Sequence, residues 1–493
     1  MRKLFSFVLL IALAPVASAE VKLAAILTDG MVVQRGIPVH LWGSADIDET
    51  VTVEFRGETE SARPDALGRW HIYMSPGAAG GPFPLTITGK NTIHLTDVLV
   101  GDVWLASGQS KMEFRTEQIQ NAVSELSNAD FPQIRVLQIE KRSSPFPLPD
   151  AVTNGWHRCS RETVAKFSAI GFLFAREIHQ REKIPVGVID STWGGTSIES
   201  WTSMEATGSD ATLMPIVRAR GLRMEQQVEW QMRREAAAAA KQRGENVVAV
   251  PWRPDPAMWS LGELYNAMIA PLTAFPIRGV IWYQGEANTR RDGAPDLYGR
   301  QLETMIGDWR QHWGIGDFPF YFVQLANFRS DASEDWPAVR EGQRSVLRIQ
   351  NTGMAVTIDI GNPDDVHPLN KQDVAKRLAL WARAKTYGEN VEYSGPLFRQ
   401  LTREGSSLRV WFDHSSGLIA KGASLQGFEI AGSDGQYRRA TARIAGETIM
   451  VDSKDVPQPA SVRCGWANAP TCDLFNQEGL PASPFQASLQ IQH

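Results

Sequence analysis

After residue 98 the chain changes its hydrophobic pattern, and this change indicates the fold class. From residue 99 to about 390, short apolar runs alternate with longer amphipathic segments. This alternation is typical of a parallel sheet with crossover helices, whose strands are buried on both faces. The predicted strands are Val103–Ser107, Ile134–Ile139, Val186–Ile189, Ile277–Ile281, Tyr321–Ala326 and Met354–Ile358. The predicted helices are Phe114–Leu126, Val164–Gln180, Leu297–Trp313, Ala338–Ile349 and Lys371–Lys385.

The two flanking regions, residues 20–98 and 391–493, contain short β-rich runs separated by turn residues. Such a pattern predicts a small β-sandwich at each end of an α/β domain. Within that domain, strong helix formers interrupt the alternation between about residues 202 and 257. We interpret this stretch as a mostly helical insertion, either a surface feature or a lid that grips substrate.

The first 19 residues have the pattern of an export signal. Basic residues at positions 2 and 3 precede a mostly apolar run and the small residues Ala17-Ser18-Ala19. No later apolar run approaches the roughly 20 residues of a membrane-spanning helix. We therefore expect an exported protein, periplasmic or secreted. Its formal net charge of -5, without a basic run, argues against nucleic acid as a partner.

The spacing of the cysteines and histidines argues against a metal site. The three cysteines allow one internal disulfide, and Cys464 and Cys472 are the natural pair, which leaves Cys159 as a buried thiol. The nine histidines are scattered and form no metal-ligand spacing.

Two strand ends carry the groups that a serine esterase needs for attack. Ser110 follows the strand that ends at Gly108 and precedes a segment that can open a helix. His367 follows the last predicted strand, with Asp364 and Asp365 just before it as alternative orienting carboxylates. A serine needs a base, and the base needs a group that orients it.

Two further strand ends carry donors for an oxyanion. Gly195 belongs to a glycine pair, where backbone N–H groups can approach a ligand closely. Gln284 and Asn288 offer side-chain amides after the strand that ends at residue 281. Each group alone has a plainer interpretation as a loop residue. Their presence at four ends of one sheet favours a single catalytic site.

Several motifs together resemble the sialate O-acetylesterase group of SGNH-type hydrolases, which includes acetylesterases of plant polysaccharides. The motifs are Asp29–Gln34, Val103–Ser110, Trp193–Thr196, Leu264–Leu272, Gly279–Glu286, His367–Pro368 and Glu478–Phe485. The resemblance implies an SGNH-type, flavodoxin-like three-layer domain acting on O-acetylated carbohydrate without a cofactor. It also implies Ser110 as nucleophile, His367 as base, Gly195 with the Ser110 N–H in the oxyanion hole, and Asn288 or Gln284 as side-chain donor.

The sequence departs from this group directly after the serine, where Lys111 replaces the usual Asn. A lysine there could bind an acidic sugar, favour the oxyanion or be a solvated charge, and we expect the last. The orienting acid stays open between Asp364, Asp365 and an unassisted Ser–His pair. The substrate stays open between acetylated sialic acid and acetylated hemicellulose such as xylan or xyloglucan. The rival hypothesis is a glycan-binding protein whose hydrolase domain has decayed.

Overall fold

The computed structural model describes residues 20–245, 260–290 and 294–489. The predicted export signal at residues 1–19 and the last part of the predicted insertion lie outside these ranges. Within them, no helix is both long and apolar enough to cross a bilayer.

The N-terminal region is built from short strands joined to one long strand. Its strands are β1 (Lys22–Leu23), β2 (Val32–Gln34), β3 (Val39–Ser44), β4 (Val51–Phe55), β5 (Glu58–Ala62), β6 (Arg69–Met74), β7 (Gly80–Thr88) and β8 (Thr92–Gly108). β1, β3 and β6 form one small sheet, while β5 pairs with β4, β4 with β7, and β7 with the first half of β8. β8 continues unbroken through residue 98, so the region before it and the central sheet share a strand.

The second half of β8 is the middle of the central sheet. The remaining strands are β9 (Phe131–Ile139), β10 (Thr153–Cys159), β11 (Val186–Thr192), β12 (Gly279–Tyr283), β13 (Phe320–Val323) and β14 (Thr352–Ala355). Their order is β10-β9-β11-β8-β12-β13-β14, and every neighbouring pair is parallel except β10 with β9. The six predicted strands are therefore confirmed as parallel neighbours, and β10 makes the sheet a mixed one in an α/β fold.

Nine α-helices lie in the described ranges. They are α1 (Ser110–Glu113), α2 (Ala122–Ser127), α3 (Arg161–Ala165), α4 (Ala169–Glu182), α5 (Met204–Ser209), α6 (Met214–Gln242), α7 (Tyr298–Trp313), α8 (Trp336–Ser345) and α9 (Gln372–Trp381). Two of the predicted helices are broken. The stretch Phe114–Leu126 divides into a 3-10 turn at Thr116–Gln118 and α2. The stretch Val164–Gln180 divides into α3 and α4 because Ser168 caps α4, its Oγ accepting the Gly171 N–H at 3.1 Å.

The C-terminal region has its own core and pairs only antiparallel among the strands described. They are β15 (Leu397–Glu404), β16 (Ser407–Asp413), β17 (Ile419–Ala420), β18 (Phe428–Ala431), β19 (Arg438–Arg439), β20 (Thr441–Ala445), β21 (Thr448–Asp452), β22 (Ser461–Cys464), β23 (Leu474–Phe475) and β24 (Phe485–Ser488). Two four-stranded sheets, β15-β16-β21-β20 and β19-β18-β22-β24, enclose the buried side chains Leu408, Ile430 and Val462. The short β-rich runs expected in residues 391–493 are therefore present as strands.

Candidate active site

Ser110 lies where β8 turns into α1. A Cβ at Gly108 would come within 2.2 Å of the Tyr283 carbonyl oxygen, and Gly108 has φ +132°. The Gln109 N–H donates to the same carbonyl at 3.0 Å. The strand therefore has to end in a glycine, and the turn places Ser110 at the carboxyl edge of the sheet, where open α/β sheets bind ligands.

The His367 ring reaches Ser110 from the segment between β14 and α9. His367 Nε2 lies 2.9 Å from Ser110 Oγ, although 257 positions separate the two residues. The imidazole stacks on the Phe114 ring with centroids 6.1 Å apart, which helps to fix its orientation. A neutral imidazole at this distance can take the hydroxyl proton.

Neither candidate carboxylate hydrogen bonds to the imidazole. Asp364 is largely exposed, and its Oδ1 pairs with Arg329 Nη1 at 2.5 Å. Asp365 Oδ1 accepts the backbone N–H of His367 at 2.8 Å, and so holds the base through its main chain. Within the described chain, no hydrogen bond reaches His367 Nδ1.

The glycine pair after β11 packs against the serine and is held by a carboxylate from α1. The Gly194 N–H donates to Glu113 Oε2 at 2.6 Å. A Cβ on Gly194 would lie 3.2 Å from Ser110 Cβ, and Gly195 adopts φ +79°. Lys141 forms an ion pair with the other oxygen of Glu113. One helical turn therefore carries both Ser110 and the group that fixes the glycine pair.

The two predicted amide donors hydrogen bond to each other and have different neighbours. Gln284 Nε2 donates to the Thr196 carbonyl at 3.0 Å and to Asn288 Oδ1 at 2.8 Å, which uses both hydrogens of its amide. Asn288 Oδ1 also accepts the Ile198 N–H, and Asn288 Nδ2 donates to Glu199 Oε2 at 2.9 Å. Gln284 thus positions Asn288 and has no amide hydrogen left for a substrate.

The predicted helical insertion is connected to this network. Arg220, in α6, donates from Nε to Glu199 Oε1 at 2.6 Å. Both side chains are almost completely buried. Since Glu199 also accepts from Asn288, the first part of α6 is anchored to the candidate site.

Lys111 is buried, so the expectation of a solvated charge is wrong. Its side chain is 1% exposed, and Nζ lies 2.8 Å from Glu286 Oε1. Nζ also lies 5.4 Å from the Tyr283 ring centroid and 5.3 Å from that of Trp336, within cation–π range. Burial has the largest single effect and lowers the pKa of Lys111, but Glu286 and Tyr283 together outweigh it and the net shift is upward.

A second buried lysine, Lys371, packs against the same Phe114 ring as the base. Its Nζ is 4.7 Å from the Phe114 ring centroid, and it has no ion pair among the described residues. Burial, followed by the charge of Lys111, lowers the pKa of Lys371 to about 7. Burial also lowers the pKa of His367 below its ordinary 6.5; Glu286 opposes this shift, and the two lysines reinforce it.

Sequence reasoning did not single out Glu113, Glu286 or Lys371. Each lies within four positions of a residue that it did single out: three after Ser110, two after Gln284 and four after His367. Their closeness in sequence to Ser110, Gln284 and His367 is the feature that could have pointed to them.

Comparisons with known proteins show the family to which the chain belongs. A family model described as carbohydrate esterase, sialic acid-specific acetylesterase, matches residues 100–213 and 243–380. The sialate O-acetylesterase of Mus musculus is 31% identical over 510 residues, covering 92% of this chain and 91% of the mouse protein. The human sialate O-acetylesterase is 32% identical over 416 residues, covering 76% of this chain and 73% of that protein.

A solved structure extends the likeness to the fold. The crystal structure of a carbohydrate acetylesterase from Xanthomonas citri superposes with a TM-score of 0.82 at 35% identity, covering 96% of this chain and 100% of that one. Its match spans the N-terminal, central and C-terminal regions together. The chain is therefore a carboxylic-ester hydrolase and belongs to the sialic acid-specific acetylesterase family of carbohydrate esterases.

Proposed function

We propose that this protein removes O-acetyl groups from sugars, with Ser110 as nucleophile and His367 as general base. The observation that carries the proposal is the 2.9 Å approach of His367 Nε2 to Ser110 Oγ. Ser110 Oγ attacks the acetyl carbonyl while His367 takes its proton, which then leaves with the sugar hydroxyl. Water, deprotonated by the same imidazole, then releases acetate from the acetyl-serine.

The oxyanion of each step would be held beside the glycine pair. We assign the backbone N–H groups of Ser110 and Gly195 as donors, with Asn288 as the side-chain donor. Gln284 is a positioning residue in this scheme because Thr196 and Asn288 take both of its amide hydrogens. Losing one oxyanion donor typically lowers kcat by about 10²–10³-fold.

For the orienting acid, the contacts favour Asp365 over Asp364. Asp365 already holds the backbone of His367, whereas Asp364 pairs with Arg329 at the surface. We expect Asp365→Asn to lower kcat more than Asp364→Asn. Equal, small losses in both variants would instead support a Ser–His pair without a carboxylate.

The names of the relatives support a carbohydrate substrate. The mouse and human relatives are named sialate O-acetylesterases, and the Xanthomonas citri relative is a carbohydrate acetylesterase. Acetylated sialic acid and acetylated hemicellulose such as xylan or xyloglucan are therefore the two substrates to compare. Measuring acetate release from both substrates side by side decides between them. The substrate is assigned if its kcat/KM exceeds that of the other by more than about 10²-fold.

The proposed organisation is an exported enzyme with an SGNH-type domain over residues 99–390 between two β-sandwiches. The parallel order of β9, β11, β8, β12, β13 and β14 supports a flavodoxin-like sheet. The antiparallel sheets around the C-terminal core support the second sandwich. Export is tested by isolating the protein from the periplasm or the medium and sequencing its N-terminus, which should lie near Glu20.

Replacing the serine tests the activity. Ser110→Ala should lower acetate release from an activated acetyl ester by at least about 10³-fold with the fold retained. Ser124→Ala, at an exposed position of α2, is the matched control and should keep full activity. Activity that survives in Ser110→Ala would refute the mechanism. A wild-type protein without activity would instead restore the hypothesis of a decayed hydrolase, against which the intact Ser110–His367 contact argues.

A further inference from the structure

Two thiols meet where the C-terminal region contacts the central domain. Cys464 ends β22 and is buried in the C-terminal core, while Cys472 is half-buried and packs against the main core. The Cys472 thiol lies close enough to Cys464 to raise its pKa well above the ordinary value. A Cβ on Gly465, the neighbour of Cys464, would lie 2.6 Å from Cys472 Sγ. Residues 465–471 therefore form a loop whose two ends, at Cys464 and Cys472, lie close together.

One arginine makes several of the hydrogen bonds that join the residues between these thiols, 465–471, to the central domain. Arg340 of α8 is fully buried, and it donates to the carbonyls of Ala467 and Asn468 at 2.7 Å each. Its remaining donors reach the carbonyls of Leu325 and Ala326, just after β13, at 2.8 Å each. Segment 465–471 is thus joined by one guanidinium to the end of the central sheet.

The same segment contacts the wall of the active site. Asn468 Oδ1 accepts the backbone N–H of Trp336 at 3.3 Å. The Trp336 ring in turn lies 5.3 Å from the Nζ of Lys111, the residue after Ser110. Holding segment 465–471 in place therefore supports the packing behind the serine.

We propose that Cys464 and Cys472 are a redox-modifiable pair, and that their disulfide locks segment 465–471 onto the central domain. The oxidant is a disulfide donor, such as glutathione disulfide or a thiol–disulfide oxidoreductase. Each protein thiol loses one proton and one electron as the Sγ–Sγ bond forms, and the donor disulfide is reduced to two thiols.

The order of the two exchanges follows from exposure. Cys472 is the more accessible thiol and attacks the donor first, forming a mixed disulfide. The pKa of the Cys464 thiol is raised by the neighbouring Cys472 thiol and by burial. Once Cys472 is in the mixed disulfide, the neighbouring Cys464 attacks its sulfur and releases the donor thiol.

The proposal is tested by measuring how many thiols of the full chain can be alkylated before and after oxidation. Protein incubated with glutathione disulfide and then alkylated under denaturing conditions should carry one label, on Cys159, and reduced protein should carry three. Cys159 is the internal control because it is fully buried with its Sγ donating to the Ala129 carbonyl at 3.1 Å. Three labels after oxidation, or a cross-linked peptide containing Cys159, would overturn the proposal.

The locking effect has a separate measurement. The disulfide closes a nine-residue segment, so the oxidised protein should unfold at a temperature roughly 2–3 °C higher than the reduced protein. Cys472→Ala should unfold at one temperature under both conditions, and Cys159→Ala should keep the wild-type difference. If the disulfide forms but the unfolding temperature does not change, the disulfide does not hold segment 465–471 in place. Since thiol counts do not depend on esterase activity, failure here is distinguishable from failure of the proposed reaction.

Discussion

Breaking the ion pair beside the serine should destabilise the protein strongly. Lys111 is 1% exposed and Glu286 is 9% exposed, so Lys111→Met leaves a carboxylate buried without its cation. Removing one partner of such a pair typically costs about 3–5 kcal/mol. Glu286→Gln should show a loss of similar size for the reciprocal reason. The double variant should recover part of the loss, since it leaves no buried charge unpaired.

The assay is unfolding in urea followed by tryptophan fluorescence, with the two single variants and the double variant in one thermodynamic cycle. An exposed pair in the C-terminal region is the matched control: Arg438 and Asp434 are 40% and 48% exposed and 3.0 Å apart. Arg438→Met should cost less than about 1 kcal/mol. If Lys111→Met lowers the free energy of unfolding no more than this control does, the buried ion pair does not stabilise the site.

Two further predictions concern catalysis. Glu113→Ala should lower kcat by roughly 10–100-fold because the Gly194 N–H loses its charged acceptor. Glu113→Gln should retain much of the wild-type kcat. Lys141→Met should leave kcat unchanged. A KM effect alone in Glu113→Ala would argue against positioning of the glycine pair. Because burial and two lysines lower the pKa of His367, kcat/KM should fall only at a pH below 6.5, where the base becomes protonated. Lys371→Met should move that acid limb to higher pH, and an unmoved or lowered limb would contradict the charge assignment.

The sequence predicted the parallel strands well because burial on both faces leaves a local mark, an almost continuous apolar run. It predicted the helices less well. The break at Ser168 depends on a capping hydrogen bond, and α1 is a single turn whose neighbours come from β11 and β12. Such breaks leave little trace in hydrophobic periodicity.

In the candidate site, strand-end reasoning selected Ser110 and His367, which the fold brings within 2.9 Å. It failed for Lys111 because burial of a charge is decided by a distant partner. Glu286 and the Trp336 ring come from segments 175 and 225 positions away, and neither is implied by the residues next to the lysine. Asp364 and Asp365 could not be separated by spacing since both lie in one loop, where the side-chain directions depend on Arg329 and the local turn.

The most direct test of the account is to trap the acyl-enzyme. Wild-type protein mixed with an acetylated sugar and quenched in acid within one turnover should carry one acetyl group on the peptide that contains Ser110, found by mass spectrometry. The His367→Ala variant should accumulate little of it, because the hydroxyl proton has no acceptor. An acetyl group on another residue, or rapid acetate release with Ser110 unmodified and replaceable by alanine, would contradict the proposed mechanism.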